Sequence, residues 1–477
     1  VKDELNETVQ QENKKLDEFK KNIKGKKIAV LGLGVSNIPA IKYLYSLGAV
    51  IYAHDENENL SNEALELKKL DGIYFCIGKE ALKNLNDMDY ILRSPGIKPF
   101  KKEIEEALKS GVILTSEIEL LVELAPCKII GITGSAGKTT TTTLVSTFLK
   151  DAGYNVWLGG NIGIPLFSNI DNMKKDDIIV LELSSFQLMT MHKSPNISLI
   201  TNIYEDHLDY HRSFEEYVDA KTNIFMHQKI GDICVLNKDD SFTCDFVKRI
   251  NDNSLESKIR YFSVKEKVND GAYYKDENII LCRGGMEDII VFTKNIKLKG
   301  IKNYANICSA ISLVYDYVSI ESMKKTLLSF NGVEHRLEYV DTKNGVSYYN
   351  DSISTTPGKA MAALSSFDKK IILIAGGYDK NLDYSNIGDY IIDSAKCLIL
   401  LGDTKDKIKE SVCNSKKYDE NKIDIYEVES MAQAVEKASS YAKDGDIVVM
   451  SPASASFDMY SSYKERGKHF KELVSKI

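Results

Sequence analysis

The chain has 477 residues, 43% apolar and 27% charged, with a formal net charge of -7 at neutral pH. That length needs more than one core, so two to four domains of an ordinary soluble protein are expected. The acidic balance argues against a nucleic-acid partner, which favours a basic surface, and no apolar run approaches the ~18 residues of a membrane span. Eight cysteines (76, 127, 234, 244, 282, 308, 397, 413) are scattered without a C-x-x-C pair. They predict reduced thiols rather than a disulfide framework or a zinc site.

Residues 1–24 read as a polar, amphipathic helix with a solvated face or as a frayed tail. No apolar signal region accompanies them, and a cytoplasmic protein is expected. From residue 27 short apolar runs alternate with helical patterns. KIAVLGLG (27–34) predicts a strand and turn, 38–47 a helix, and AVIYAHD (49–55) a second strand ending on Asp55. This is close to the dinucleotide-binding βαβ pattern, with Asp55 where a ribose-binding acid falls, but Asn37 occupies the third glycine position. NAD(P) and the diphosphate of another nucleotide both remain open. DYILRSPGI (89–97) predicts a further strand closed by a Ser94-Pro95-Gly96 turn.

KIIGIT (128–133) is a β-branched apolar run, the pattern of a buried parallel strand. TGSAGKT (133–139) follows, and then Leu144, Val145, Phe148, Leu149 and Ala152 recur on one helical face. Strand, glycine-rich turn and helix is the setting of a phosphate-binding loop. Gly134 and Gly137 permit a tight turn whose N–H groups face phosphate oxygens, and the helix N-terminus adds its dipole. Lys138 is placed to reach the β- and γ-phosphates, and the Thr139 hydroxyl to ligate Mg2+. Ile132 stands where the strict G-x4-G-K-[ST] pattern has glycine, so the loop is a variant. A corner built for geometry alone would not need Lys-Thr after its second glycine.

GGNIG (159–163) is a second glycine-rich loop, and DIIVLELSSFQL (177–188) a strand with Glu182 at its carboxyl end, where an acid can hold the loop's Mg2+ or simply face solvent. ISLITNIYEDHLDYH (197–211) runs a strand into an acidic loop. There His207 reads as a metal ligand, a general base, or neither. SFEEYVDAKTNIF (213–225) predicts a helix in which Lys221, by pattern alone, is an ordinary snorkelling lysine. Residues 231–299 read as hairpins and short strands. Asn303 and Asn306 open a helix over 300–318, where amides cap or reach a base or phosphate. His335-Arg336 lies at a linker into a last region with strands at 346–352, 369–377, 396–402 and 446–458. Each ends in glycines or hydroxyls, predicting a doubly wound sheet.

TGSAGKT, GGNIG, ELSSFQL, the Asp206-His207 pair, the Lys221 helix, NYAN at 303–306 and His335-Arg336 occur in the order found in the Mur ligases. From about residue 27 onward the chain resembles these cytoplasmic, amide-forming enzymes of peptidoglycan synthesis. GLGVSNIP, SPGI, GGYDKN and SPASASFD make its outer regions most similar to the D-glutamate-adding branch. The resemblance implies an α/β fold with a Rossmann-like UDP-substrate domain (25–117), a central P-loop ATP domain (118–332) and a C-terminal Rossmann-like amino-acid domain (333–477), preceded by the extension 1–24.

The resemblance also implies roles. UDP, not NAD, would be held by Gly34, Val35, Ser36 and Asp55, with Ser94, Asn161 and His207 along the rest of that substrate. ATP would lie on Gly134, Ser135, Ala136, Gly137, Lys138, Thr139 and Thr140, with Asn306, Arg336 and Asp351 at its adenine, phosphate and ribose. Thr139 and Glu182 would hold one Mg2+, and His207 with a carbamylated Lys221 a second; Mn2+ would substitute. Thr355, Lys380, Ser456 and Tyr463 would receive D-glutamate. Lys138, Lys221, His207 and Arg336 would be the catalytic set. The implied reaction makes an acyl phosphate on UDP-N-acetylmuramoyl-L-alanine, which the D-glutamate amine attacks, in a monomeric enzyme. Ala136, Lys302 and Ile353 depart from common family residues, and Ile353 for Lys leaves Lys380 to carry more of the D-glutamate charge. A sister ligase using another amino acid, a P-loop kinase or transport NTPase, and a non-catalytic nucleotide sensor are the alternatives.

Overall fold

The computed structural model describes residues 13–367 and 369–477. Most of the expected N-terminal tail thus lies outside the described residues. Its end, however, is a helix, Lys14–Ile23, whose Leu16 and Ile23 are buried. Its outer face is solvated, as expected of an amphipathic helix. Contacts divide the chain into one unit reaching Thr293 and including Ile301–Leu327, and another made of Lys294–Gly300 and Leu328–Ile477.

The first unit holds two sheets. One comprises β1 (Lys27–Leu31), β2 (Val50–Asp55), β3 (Ile73–Ile77), β4 (Tyr90–Arg93) and β5 (Ile113–Thr115), ordered β3-β2-β1-β4-β5. All neighbours are parallel. The order reverses between β1 and β4, so a crevice opens at their carboxyl ends, between the turn at Gly34 and Ser94.

The other sheet comprises β6 (Lys128–Thr133), β7 (Val156–Gly160), β8 (Ile178–Glu182), β9 (Ile197–Ile200), β10 (Ile233–Asn237), β11 (Lys258–Ser263), β12 (Gly271–Lys275), β13 (Asn278–Arg283) and β14 (Met286–Phe292). Its order is β14-β13-β12-β11-β10-β9-β6-β8-β7. Strands β6 to β12 run parallel, and β13 and β14 close the edge antiparallel. The two closing turns, Asp276-Glu277 and Gly284-Gly285, have positive φ at both residues, the geometry that matches strand twist in a two-residue hairpin. The expectation of hairpins and short strands across 231–299 is met by the hairpins of 271–292 and by the short strands β10 and β11, but the intervening helix was not expected. That helix, Thr243–Asp252, joins parallel strands, because Phe246 and Ile250, four apart, bury one helical face. A continuous buried cluster extends from Leu16, Ile28 and Ile51 through Leu121 and Ile129 to Phe225 and Phe246, so both sheets of this unit share it.

The second unit is built on β15 (Glu338–Lys343), β16 (Val346–Asn350), β17 (Ile371–Ala375), β18 (Ala395–Leu400), β19 (Asp424–Glu427) and β20 (Ile447–Met450). The order is β15-β16-β20-β17-β18-β19, with β15 antiparallel on the edge and joined to β16 by an Asn344-Gly345 turn. Separate apolar clusters, around Ile371, Leu373 and Ile391 and around Ile372, Ile374 and Phe470, cover its two faces. No described helix is long and apolar enough to cross a membrane.

Candidate active site

The phosphate-loop sequence folds as its composition requires. Gly134 (φ 142) and Gly137 (φ 85) lie in the left-handed half of backbone space. A Cβ on Gly134 would strike Thr201, and one on Gly137 would strike Asn306, so glycine is demanded twice over. The end of the neighbouring β9 braces the loop. Ser135 N donates to Asn202 O at 2.9 Å, Ala136 N to Asn202 Oδ1 at 2.8 Å, and Thr201 Oγ1 to Ala136 O at 2.6 Å. The Ser135 hydroxyl reaches the Tyr217 hydroxyl at 2.8 Å. The helix Lys138–Asp151 starts directly after Gly137, bringing Thr139 and Thr140 into its first turn and pointing its positive end at the loop. It packs on the helix Ile301–Val314, where Thr141 and Ser309 hydroxyls meet at 3.3 Å, and this brings Asn306 against Gly137.

Two lysines converge on one carbonyl. Lys138 Nζ donates to Gly134 O at 2.8 Å and to Ser135 O at 3.1 Å, while Lys221 Nζ donates to Gly134 O at 2.9 Å. The snorkelling reading of Lys221 is overturned. The helix Phe214–Thr222 turns it inward with Tyr217 and Ala220, its exposure is 2%, and its ammonium lies 4.6 Å from the Tyr217 ring centroid. Burial, reinforced by the charge of Lys138, drives its pKa well below the usual lysine value.

Glu182 does not face solvent. It is buried at the end of β8, next to β6. Its Oε1 accepts from Asn161 Nδ2 at 2.8 Å, and its backbone carbonyl accepts Asn161 N at 2.7 Å. Its Oε2 is buried with no hydrogen-bond partner. A buried carboxylate with an orphaned oxygen is costly alone and suits a cation. Among the described residues no three His, Cys, Asp or Glu side chains gather into a metal cluster. A free carboxylate oxygen at this strand end fits Mg2+, an ion that keeps waters and phosphate oxygens in its shell. His207 sits at φ 55 on a half-exposed loop, its Nε2 3.5 Å from Asp206 Oδ2 and its ring 4.9 Å from that of Phe186.

At the first sheet, Asp55 accepts Leu33 N and Asn57 N, each at 2.8 Å, so its carboxylate ties the turn after β1. Asn37, in place of a third glycine, donates its amide to Leu31 O at 3.1 Å and Gly32 O at 2.9 Å. Val35 is 81% exposed at the tip of the turn.

In the second unit Asp351 follows β16, almost fully buried. It accepts from Ser451 Oγ at 2.6 Å and Leu337 N at 3.1 Å, and burial pushes its pKa up to about 6. Arg336 lies between His335 (φ 63) and Leu337 (φ 43), a bent segment pinned by the buried His335 ring against Asn350 at 3.0 Å. Arg466, which sequence reasoning missed, gathers the remaining residues. It donates to Ser352 O and Oγ, Ser454 O and Ala455 O. Ser352 Oγ donates to Tyr463 O at 2.7 Å, so the segments carrying Thr355, Ser456 and Tyr463 are tied together. Lys380 is exposed, its ammonium 5.3 Å from the Phe457 ring centroid. Also missed were Asn202, Tyr217, Arg93 and His211, whose Nε2 meets Ser185 Oγ at 2.9 Å. None carries a local signal, since each acts through a neighbour distant in the chain.

Residues 26–116 match the Mur ligase MurD-like N-terminal domain, 132–314 the Mur ligase middle domain, and 335–454 the Mur ligase, glutamate ligase domain. A UDP-N-acetylmuramoylalanine--D-glutamate ligase of Clostridium botulinum is 47% identical over 96% of this chain and 98% of its own length. The enzyme of that name from Ruminiclostridium cellulolyticum is 43% identical, covering 98% and 100%. Among solved structures, a UDP-N-acetylmuramoyl-L-alanyl-D-glutamate--2,6-diaminopimelate ligase superposes with a TM-score of 0.52 at 17% identity, over 90% of this chain and 87% of that one. UDP-N-acetylmuramate-alanine ligase of Thermotoga maritima gives 0.51 at 19% identity, over 94% and 99%. These two establish the shared fold.

Proposed function

The chain belongs to the Mur ligases, and from that premise we propose that it joins D-glutamate to UDP-N-acetylmuramoyl-L-alanine with cleavage of ATP. A carboxylate does not accept an amine at neutral pH, because oxide cannot leave. Transfer of the γ-phosphoryl group to the L-alanine carboxylate gives an acyl phosphate, which the D-glutamate amine attacks with loss of phosphate. Phosphoryl transfer of this kind is chiefly positioning and charge neutralisation.

The observation that carries this reading is the pairing, at one sheet edge, of two lysines on the Gly134 carbonyl with a buried, half-satisfied Glu182. Lys138 shifts from loop carbonyls to the β- and γ-phosphates, while Gly134 to Thr140 cradle them. Thr139 and Glu182 hold Mg2+, which when bound neutralises the triphosphate. A buried amine with a depressed pKa gives up its proton more readily, and the free amine would add carbon dioxide with release of a second proton, making Lys221 an anionic ligand that, with His207, would suit a second ion. Asn306, Arg336 and Asp351 complete the ATP contacts. Gly34, Val35, Ser36, Asp55, Ser94 and Asn161 hold the sugar nucleotide. Thr355, Lys380, Ser456 and Tyr463 hold D-glutamate. The protein acts as a cytoplasmic monomer on small molecules.

The test is ADP release with UDP-N-acetylmuramoyl-L-alanine present and amino acids added singly. Turnover with D-glutamate alone is expected; turnover with L-alanine on the unextended sugar nucleotide, or with no amino acid, overturns the reading. Carbon-13 NMR with labelled bicarbonate is expected to show a carbamate lost in Lys221→Ala, and no such signal in active enzyme removes the second-ion assignment.

A further inference from the structure

Arg93 ends β4, and its guanidinium is buried, at 1% exposure. Its hydrogen-bond partners are all neutral. Nη1 donates to Ile97 O at 2.7 Å and, at 3.4 Å, to Ser94 O and Pro95 O. Nη2 donates to Phe186 O at 2.7 Å and to Thr190 Oγ1 at 3.1 Å. The Tyr210 hydroxyl joins the same seam, 3.4 Å from Nη1, and donates to Pro95 O at 2.8 Å. Lys98 Nζ adds a bond to Asp209 O at 3.0 Å.

One side of this fork is thus the 94–97 turn that walls the crevice of the first sheet. The other is the short helix Ser185–Leu188, which follows Glu182 in the chain. The Phe186 ring continues the connection, packing 4.1 Å from the Tyr210 ring and 4.9 Å from that of His207. The buried Glu119 carboxyl acts on Arg93 only through space and makes no hydrogen bond to it. Burying a guanidinium whose bonds all go to neutral groups is unfavourable, and apolar packing would close such a seam at lower cost. A planar, rigid fork bonded to backbone carbonyls on both sides does what apolar packing cannot: it fixes the distance and the twist between two loops. A sugar nucleotide held at one end must present its carboxylate at the other, so that spacing is part of the chemistry.

We infer that Arg93 is a positioning residue, holding the Ser94-Pro95-Gly96 turn at a set distance from the Phe186–His207 segment so that a uridine-diphosphate-linked acid reaches the phosphate loop. The inference rests on the ligase reading above. Arg93→Met is expected to lower kcat/KM for UDP-N-acetylmuramoyl-L-alanine by about 100-fold, the effect of a displacement of ~1 Å. KM for ATP stays unchanged, and the ADP released per amide formed rises as activated substrate meets water. Arg93→Lys, which keeps charge but not the fork, restores little of this. Tyr210→Phe gives the same pattern more weakly and decides the matter should Arg93→Met fail to fold. Unchanged kcat/KM and coupling in these variants, or equal losses for both substrates, overturns the inference. Failure of the wild-type protein to release ADP with D-glutamate would instead sink the ligase reading itself.

Discussion

Two sheet edges of this protein bury an acid at a strand end, and they treat it in opposite ways. After β8, Glu182 keeps an oxygen without a partner, and at the loop beside it Lys221 is buried against a neutral carbonyl. After β16, Asp351 is bonded by Ser451 and Leu337, and the buried cation of that edge, Arg466, makes four bonds to neutral groups and feels the charge of Asp458. The first edge leaves a carboxylate oxygen of Glu182 to a charged ligand, whereas the second ties Asp351 into its own hydrogen bonds, keeps the unbonded Asp458 carboxylate near Arg466, and shows solvent an exposed lysine, Lys380. Metal and triphosphate chemistry suits the one, and recruitment of a small acid suits the other.

The contrast is broken most directly at Lys138. Lys138→Ala is expected to reduce turnover by about 1,000-fold with the fold intact by circular dichroism; wild-type activity would remove the loop from the chemistry. Glu182→Gln is expected to cost about 100-fold in activity while raising the thermal midpoint without Mg2+, because an unpaired buried charge disappears. The stabilisation that Mg2+ gives the wild-type protein should be absent from that variant, and an undiminished Mg2+ shift would contradict the assignment.

At the opposite edge the signature is pH. The carboxyl of Asp351 is raised from 3.8 to about 6, so the folded state holds its proton more tightly than the unfolded chain. Its contribution is full below the unfolded value and is lost as pH rises through the window to about 6, about 3 kcal/mol in all. Denaturant titrations across that window should show the slope in the wild-type protein and not in Asp351→Asn; identical slopes exclude Asp351 as its source. The smallest effect is expected from Lys380→Met, a rise of about tenfold in KM for D-glutamate with KM for ATP unchanged, measured by initial rates.

Much of this was legible in the residues. Glycines before Lys138-Thr139, alternating strand and helix patterns, and Asp55 at the end of β2 announce parallel sheets with ligands at their carboxyl edges, since tight turns demand the glycines and phosphate or ribose chemistry the charged residues. Lys221 was legible only through the family resemblance: by spacing it is a surface lysine of its helix, and only the fold places Gly134 opposite it. Asp55 was legible in position, yet its oxygens first tie the turn at Leu33. Arg93 and Arg466 were invisible for a related reason, their partners lying on loops distant in the chain. The helix Thr243–Asp252 was lost among short apolar runs, where periodicity is ambiguous.

By itself, then, the order of residues determined most of the elements and the phosphate loop, which depend on contacts among near neighbours, and its motifs marked the family. Which charges are satisfied and which are left waiting was decided only by the tertiary structure. Desolvation and hydrogen bonding are set by groups that meet in space from remote parts of the chain, and no local pattern records them.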